Sequence, residues 1–330
     1  MTTPPLRYLS AADVVAAMPP LDERLSLAKK TMRALGRDAQ LPAKIGVEPR
    51  QPGSVGHAMP ALLRGSSPDG ADDLMGMKWI VGFPENPARG LPTYSALVLL
   101  NDPLTGVPIA VMDAGTITAA RTPAVSGVAL KLFAAPVDST APRVALLGAG
   151  VQARGHLPVI GRLLPGTRLR IADLDRSRAE DLAKEAAATD GIAQVQVVET
   201  IQAAVEGADV VVSAVSFGPE HQTLKPAWLT PHCCFVAIDY DMQAPAVLAH
   251  EAFFATDERD QFMATRAAGG EFVGFPAPEA TLGECLREPR SRPSGRVLVC
   301  HLGVGLADVV FASAILRRAE QLGLGIILPR

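Results

Sequence analysis

The run Val144-Ala145-Leu146-Leu147 leads directly into Gly148-Ala149-Gly150-Val151-Gln152-Ala153 and then into a helical pattern. This matches G-x-G-x-x-[GA] in the strand, turn and helix setting that gives the pattern meaning. Gly148 permits a tight turn, Gly150 lets a pyrophosphate approach the backbone, and the small Ala153 allows close helix–strand packing. The helix start offers unpaired N–H groups and a positive dipole end. The next strand ends at Asp173, near the spacing at which an acidic side chain takes the adenosine ribose hydroxyls. A carboxylate there repels a 2′-phosphate, so NAD is expected as cofactor. Arg176 and Arg178 in the same loop could accept that phosphate and keep NADP as an alternative. Outside this motif, Lys78 stands in an apolar stretch between Met75, Met77, Trp79 and Ile80 although only seven of the 31 basic residues are lysine. A lysine there points to something an arginine could not do. Arg121 carries the planar fork that holds a carboxylate bidentately. Asp239 and Asp241 follow an apolar run at a strand end, where ligands bind in parallel sheets.

The elements that must position these residues divide the chain in two. From Pro142 onward, apolar β-branched runs alternate with helical patterns, as in successive βαβ units. The runs at 144–147, 169–172, 195–198, 210–214, 235–238, 253–256 and 297–300 predict about seven strands. Residues 152–164, 177–188 and 200–207 predict helices, with Ser177 and Thr200 as N-caps. The first 130 residues differ: one helix near 21–35, then strands at 44–47, 77–81, 96–100 and 108–112. The segment Asn101-Asp102-Pro103-Leu104-Thr105-Gly106 is a turn by its chemistry and predicts an antiparallel hairpin. A closing helix is expected at 306–321, and exposed loops at 64–73 and 288–294. The expected architecture is α/β, a Rossmann-type doubly wound parallel sheet over 131–305. An α+β domain over 1–130, joined by 306–330, completes it.

Composition excludes several partners. The 330 residues are 48% hydrophobic and 20% charged, which describes a folded chain. Lys+Arg 31 against Asp+Glu 34 gives a charge of -3, and no basic block would attract a nucleic-acid backbone or an anionic membrane. No apolar run approaches the roughly 18 residues of a membrane span, and the N-terminus lacks a signal pattern. A cytoplasmic protein is expected. Cys233, Cys234, Cys285 and Cys300 show no CxxC spacing and read as free core thiols with no metal site.

Taken in order, Gly76-Met77-Lys78, Asn86-Pro87, Asp113, Thr118-Ala119-Ala120-Arg121-Thr122 and the glycine turn resemble the ornithine cyclodeaminase/μ-crystallin family. So do Asp257…Gln261…Gly270-Glu271 and Gly303-Val304-Gly305-Leu306-Ala307-Asp308. The resemblance covers nearly the whole chain. It implies a homodimer paired through the N-terminal domains and a small amino- or imino-acid substrate held between the two domains. Arg121 would then pair with the substrate carboxylate, Lys78 would assist it and tune the reacting nitrogen, and Thr122 would contact the cofactor. Ser213, Ala214 and Val215, at the end of the strand 210–214, join the cofactor set. Asp241 aligns with the family's catalytic aspartate; Asp239 stays an alternative.

Two departures bear on substrate. Where family members often carry an arginine near the first strand, this chain has Lys44, a point charge for the same carboxylate. Two residues before Met59-Pro60, where ornithine cyclodeaminases hold an acidic residue, stands His57, beside the substrate-lining Met59. A buried δ-ammonium would lack its partner there. The resemblance therefore implies an NAD(H)-dependent amino-acid dehydrogenase or imine reductase. An ornithine-type deaminating cyclisation is the alternative, followed by a non-catalytic crystallin-like binding protein.

Overall fold

The computed structural model describes residues 5–134, 141–288 and 291–329. The chain forms two compact units, Met1–Arg121 with Val304–Arg330, and Thr122–Gly303. The sequence placed the first break near residue 130. It falls instead within the helix Gly115–Phe133, which the sequence reading did not predict. That helix is buried along almost its whole length and carries Pro123 inside it, so it shows neither an amphipathic stripe nor a proline-free run.

The first unit is built on an eight-stranded sheet. Its order is Ile326–Leu328, Leu6–Leu9, Pro108–Asp113, Tyr94–Asn101, Leu74–Gly82, Val55–Leu63 and Ala39–Gln40, with Ile45–Val47 also pairing on Val55–Leu63. The expected hairpin is present: Leu97 to Asn101 pair antiparallel with Asp113 to Pro108. Asp102 Oδ1 stabilises its turn by accepting from the N–H groups of Leu104 and Thr105. The strand Val55–Leu63 was not anticipated, because Pro60 stands in its middle. The structure explains the tolerance. On the outer side, Ala39–Gln40 covers Leu63 and Leu62 while Ile45–Val47 covers Ala58 to Gly56, so Pro60 lies in the gap between two short partners.

One face of this sheet is buried, with Met59, Lys78, Val98 and Met112 in cross-strand register. The helix Gly305–Gln321 packs on it so closely that a Cβ on Gly305 would stand 2.4 Å from the Met59 carbonyl oxygen. The opposite face presents Pro60, Met77, Leu99 and Val111 in one cross-strand row and Ala58, Trp79 and Leu97 in the next. Trp79 and Leu97 remain 39% and 45% exposed.

The second unit is an eight-stranded parallel sheet. Its order is Ile192–Val197, Thr167–Ala172, Arg143–Leu147, Val210–Ser213, Cys234–Ala237, Val297–Cys300, Phe253–Thr256 and Ala280–Thr281. All seven expected strands are there, and every pair is parallel. The order reverses between Arg143–Leu147 and Val210–Ser213, where an open α/β sheet leaves a crevice at its carboxyl ends. Thr200 caps its helix as expected. Ser177 does not: the helix begins at Arg176, and Asp175 caps it by accepting from the N–H groups of Ser177 and Arg178. A carboxylate two residues earlier captures both donors. The 64–73 loop is largely exposed, and the expected 288–294 loop lies partly outside the described residues. Among the described residues, no helix is long and apolar enough to cross a membrane, and no group of three or more His, Cys, Asp or Glu is placed to hold a metal.

Candidate active site

In the first unit, three residues far apart in sequence meet in a buried cluster. Lys78 projects from the inner face of Leu74–Gly82 and is 1% exposed; Arg121 comes from the long helix and Asp308 from the first turn of Gly305–Gln321. Lys78 Nζ lies 2.7 Å from Asp308 Oδ2, and Arg121 Nε lies 3.2 Å from Asp308 Oδ1. Among the described residues Arg121 engages Asp308 through Nε alone, which leaves both terminal nitrogens of its fork for another partner. Burial is the main influence on Lys78 and brings its ammonium down to about 7, against the opposing pull of Asp308. Burial acts to raise Asp308, but the charges of Arg121 and Lys78 outweigh it and hold the carboxyl below its ordinary range. With Lys78 protonated, the cluster holds two cations and one carboxylate, a buried excess of one positive charge.

His57 and Met59 share this inner face, and Met59 is paired in register with Lys78. Burial lowers His57, and the charges of Lys44 and Lys78 lower it further. Lys44 also acts on Lys78. The structure thus groups Lys44, His57, Met59, Lys78 and Arg121 in one unit. Asp308, which ties the two buried cations together, stands out in the sequence only as part of a family-like segment. Its place in a run of buried apolar residues gave no sign of the charge it balances.

In the second unit, Gly148 adopts φ +92°, and a Cβ there would stand 2.4 Å from the carbonyl oxygen of Ala214. Glycine is therefore required at this crossing of the turn and the neighbouring strand end. Gly150 starts the helix Val151–Leu163 without a side-chain cap; a Cβ on it would meet only Arg178 Nη2, at 3.5 Å. The N–H groups of Val151, Gln152 and Ala153 belong to the first turn, where no helical carbonyl precedes them. Gln152 Oε1 is buried and has no partner among the described residues. An open approach over Gly150 and unused first-turn N–H donors fit a dinucleotide pyrophosphate. Asp173 ends Thr167–Ala172 half-buried; its Oδ2 accepts from Ala149 N at 2.6 Å and its Oδ1 from Asp175 N at 2.8 Å. Of the two arginines beside it, Arg176 is held by Glu180 and Glu199. Thr122 is buried one residue past Arg121.

The two aspartates after Cys234–Ala237 have different surroundings. Asp239 Oδ2 accepts from Ser213 Oγ at 2.5 Å and from Val215 N at 3.0 Å, a clamp between neighbouring strand ends that fixes Ala214 as well. Burial raises its carboxyl to about 6. Asp241 is fully buried and takes one contact after another from nitrogen: His221 Nδ1 at 2.8 Å on Oδ1, Phe272 N at 2.8 Å and Gln222 Nε2 at 3.3 Å on Oδ2. Gln222, Tyr240 and Phe272 are the non-glycine residues with positive φ among the described residues, at 57°, 60° and 57°. All three border Asp241: Tyr240 precedes it and stacks on Phe272, and the other two donate to it. Such backbone costs about 1–3 kcal/mol per residue and gathers where function holds it. Nothing in residue spacing marked His221, Gln222 or Phe272. Elsewhere in this unit, buried Ser126 Oγ lies 2.8 Å from both His156 Nε2 and His301 Nε2, and burial lowers His156 to about 4.

A parallel sheet with a glycine turn at its switch point, in a chain whose other unit has a mixed, mainly antiparallel sheet and a buried cationic cluster, defines a two-unit α/β protein of dinucleotide-binding type. The model of the ornithine cyclodeaminase/mu-crystallin family matches residues 12–321, and the chain belongs to that family. It is similar to the nodulation efficiency protein NfeD of Rhizobium meliloti, with 31% identity over 98% of both chains. It is similar also to the ketimine reductase mu-crystallin of Rattus norvegicus, with 35% identity over 74% of this chain and 76% of the other. Among solved structures, an archaeal alanine dehydrogenase dimer with bound NAD superposes with a TM-score of 0.82 at 25% identity, covering 99% of each chain.

Proposed function

We propose that the chain is an NAD(H)-dependent oxidoreductase acting on the C–N bond of a small α-amino or α-imino acid. The observation that carries this reading is the buried positive excess at Lys78, Arg121 and Asp308. A substrate carboxylate supplies the missing negative charge, taking the free fork of Arg121 bidentately and favouring the protonated form of Lys78. Lys44 adds a point charge. The first unit is the substrate-binding domain and the second the cofactor domain. There Gly148, Gly150, Val151, Gln152 and Ala153 take the pyrophosphate, Asp173 the ribose of NAD, and Thr122, Ser213, Ala214 and Val215 the remaining contacts. When bound, NAD(H) supplies the hydride exchanged with the substrate carbon. Lys78, brought to about 7, holds or releases a proton near neutral pH, and Asp241, rather than the clamped Asp239, is assigned to the proton balance at nitrogen.

An ornithine-type reaction fits less well, because His57 faces the charges of Lys44 and Lys78 and offers a distal ammonium no carboxylate. The exposed apolar rows around Met77 and Trp79 support a homodimer through this sheet face. The reading places the enzyme in the cytoplasm, whose reducing conditions suit four free cysteines. Steady-state NADH oxidation with a panel of 2-oxo acids plus ammonia or methylamine, and with cyclic imino acids, tests the proposal. Turnover with neutral or acidic side chains is expected; efficient proline formation from ornithine would overturn the choice of dehydrogenase or reductase.

A further inference from the structure

The second unit buries a row of polar groups to which no role has been given so far. His156, on the helix that starts at the glycine turn, and Ser126, on Gly115–Phe133, are both fully buried, and so in effect is His301, directly after the strand Val297–Cys300. One contact in this row sets the others. His156 Nδ1 lies 2.7 Å from the carbonyl oxygen of Gln152, and a carbonyl can only accept, so Nδ1 carries the hydrogen. Burial lowers His156 to about 4 and keeps the imidazole neutral, which leaves Nε2 as a bare acceptor. Ser126 Oγ, 2.8 Å from that Nε2, therefore donates its single hydrogen to it. With that hydrogen spent, Ser126 Oγ accepts from His301 Nε2, also at 2.8 Å. The row runs in one direction, from His301 through Ser126 and His156 to Gln152 O, and it ends on the first turn of the helix.

That end point bears on the cofactor. Gln152 O and Ala153 N belong to one peptide group, and Ala153 N–H is among the first-turn donors that no helical carbonyl takes up. A helical carbonyl ordinarily accepts the N–H four residues on, and this one accepts the imidazole as well. A second hydrogen bond at the oxygen polarises the amide and makes its N–H a stronger donor, and hydrogen bonds in series reinforce one another. We propose that His156 is a positioning residue for the dinucleotide: its Nδ1–H bond holds the Gln152–Ala153 peptide in place and strengthens Ala153 N–H as a donor to the pyrophosphate, while Ser126 and His301 enforce the tautomer that makes this bond. The inference rests on the assignment of the glycine turn to the pyrophosphate. A position that needed only to be filled would be served by an apolar side chain with no hydrogen bonds to satisfy.

The test uses the full-length protein and NADH. His156→Asn keeps an amide nitrogen where Nδ1 stands, whereas His156→Gln removes that donor and keeps a polar atom near Ser126. NADH affinity, read by fluorescence titration, is expected to fall roughly three- to fivefold in His156→Gln and to stay within about twofold of wild type in His156→Asn. A role in packing alone gives the opposite order, because Asn leaves the larger cavity. In the protein without cofactor, nitrogen NMR should show hydrogen on Nδ1 and not on Nε2 of His156, and hydrogen on Nε2 of His301. The Ala153 amide nitrogen should move upfield in His156→Gln and hold its position in His156→Asn. Ser126→Ala removes the hydrogen that keeps His156 Nε2 an acceptor, so an Nε2–H population of His156 should appear and NADH affinity should fall with it. This variant and the wild-type tautomers decide the matter if His156→Gln does not fold. Wild-type affinity in His156→Gln, weaker binding by His156→Asn than by His156→Gln, or an Nε2–H form of His156 in the wild type would overturn the inference and leave the assignment of the glycine turn intact. A wild-type protein that binds neither NADH nor NADPH would overturn both.

Discussion

The two halves of the candidate site are built on different physics. The Lys78, Arg121 and Asp308 cluster is an exercise in charge: two cations and a carboxylate held out of water by a sheet face and two helices. The glycine turn and the Asp241 shell are exercises in backbone geometry, with φ +92° at Gly148 and three left-handed residues around one carboxylate. The first should therefore respond to changes of charge sign and to pH. The second should respond to added atoms and to altered hydrogen bonds.

Removing the balancing anion is the harshest way to probe this contrast. Asp308→Ala leaves the Arg121 guanidinium, which cannot lose its proton, buried without its carboxylate. A loss of roughly 3–5 kcal/mol is expected, read by urea unfolding at Trp79 in a Trp228→Phe background; a loss below 1 kcal/mol would mean that water reaches the cluster. Arg121→Leu comes next. It should lower turnover by more than 100-fold, about 3 kcal/mol, through the lost bidentate contact and the misplaced carbon, with NADH binding nearly unchanged. A near-normal rate would move the carboxylate to Lys44.

The pH response of Lys78 is smaller and has a definite sign. Between about 7 and its unfolded value of 10.5, the folded lysine is neutral while the unfolded one is protonated. The unfolded chain then binds more protons, so stability rises with pH. Buried thiols such as Cys234, pushed up to about 12 from 9.0, oppose the trend above pH 9. The comparison is therefore wild type against Lys78→Met between pH 7 and 9, where the wild type alone should gain roughly 2 kcal/mol. Equal slopes would show that Lys78 stays protonated. The smallest effect belongs to Asp173→Ser, expected to shift the NADH over NADPH preference by about tenfold, or 1.4 kcal/mol, measured by titrating both cofactors. No shift would point to Arg178, whose guanidinium lies beside Gly150, as the residue that sets the preference.

The same contrast explains what could be read without a structure. The glycine turn, the seven parallel strands and Asp173 were legible because each is encoded within a few consecutive residues: periodicity, a φ that only glycine adopts freely, a carboxylate at a strand end. The strand through Pro60 and the helix through Pro123 were hidden because each proline contradicts its own element locally, and only tertiary neighbours make it acceptable. Asp308 and His221 were hidden for a further reason. Asp308 is defined by two cations that lie 187 and 230 residues earlier in the chain, and His221 by a carboxylate 20 residues on that is also bonded by Phe272 of a separate loop. The family resemblance recovered Lys78 and Arg121 without revealing what neutralises them.

The sheet order of the first unit also sets an order of events during synthesis. Its last strand, Ile326–Leu328, pairs with its first, Leu6–Leu9, and Asp308 lies on the helix between the second unit and that strand. While the chain is being made, the whole second unit emerges before the segment that completes the first. Until then Lys78 and Arg121 have no carboxylate, and the apolar face that Gly305–Gln321 will cover stands open. The helix Gly305–Gln321 thus brings the cover of the hydrophobic layer and the carboxylate of the charge balance to the first unit together.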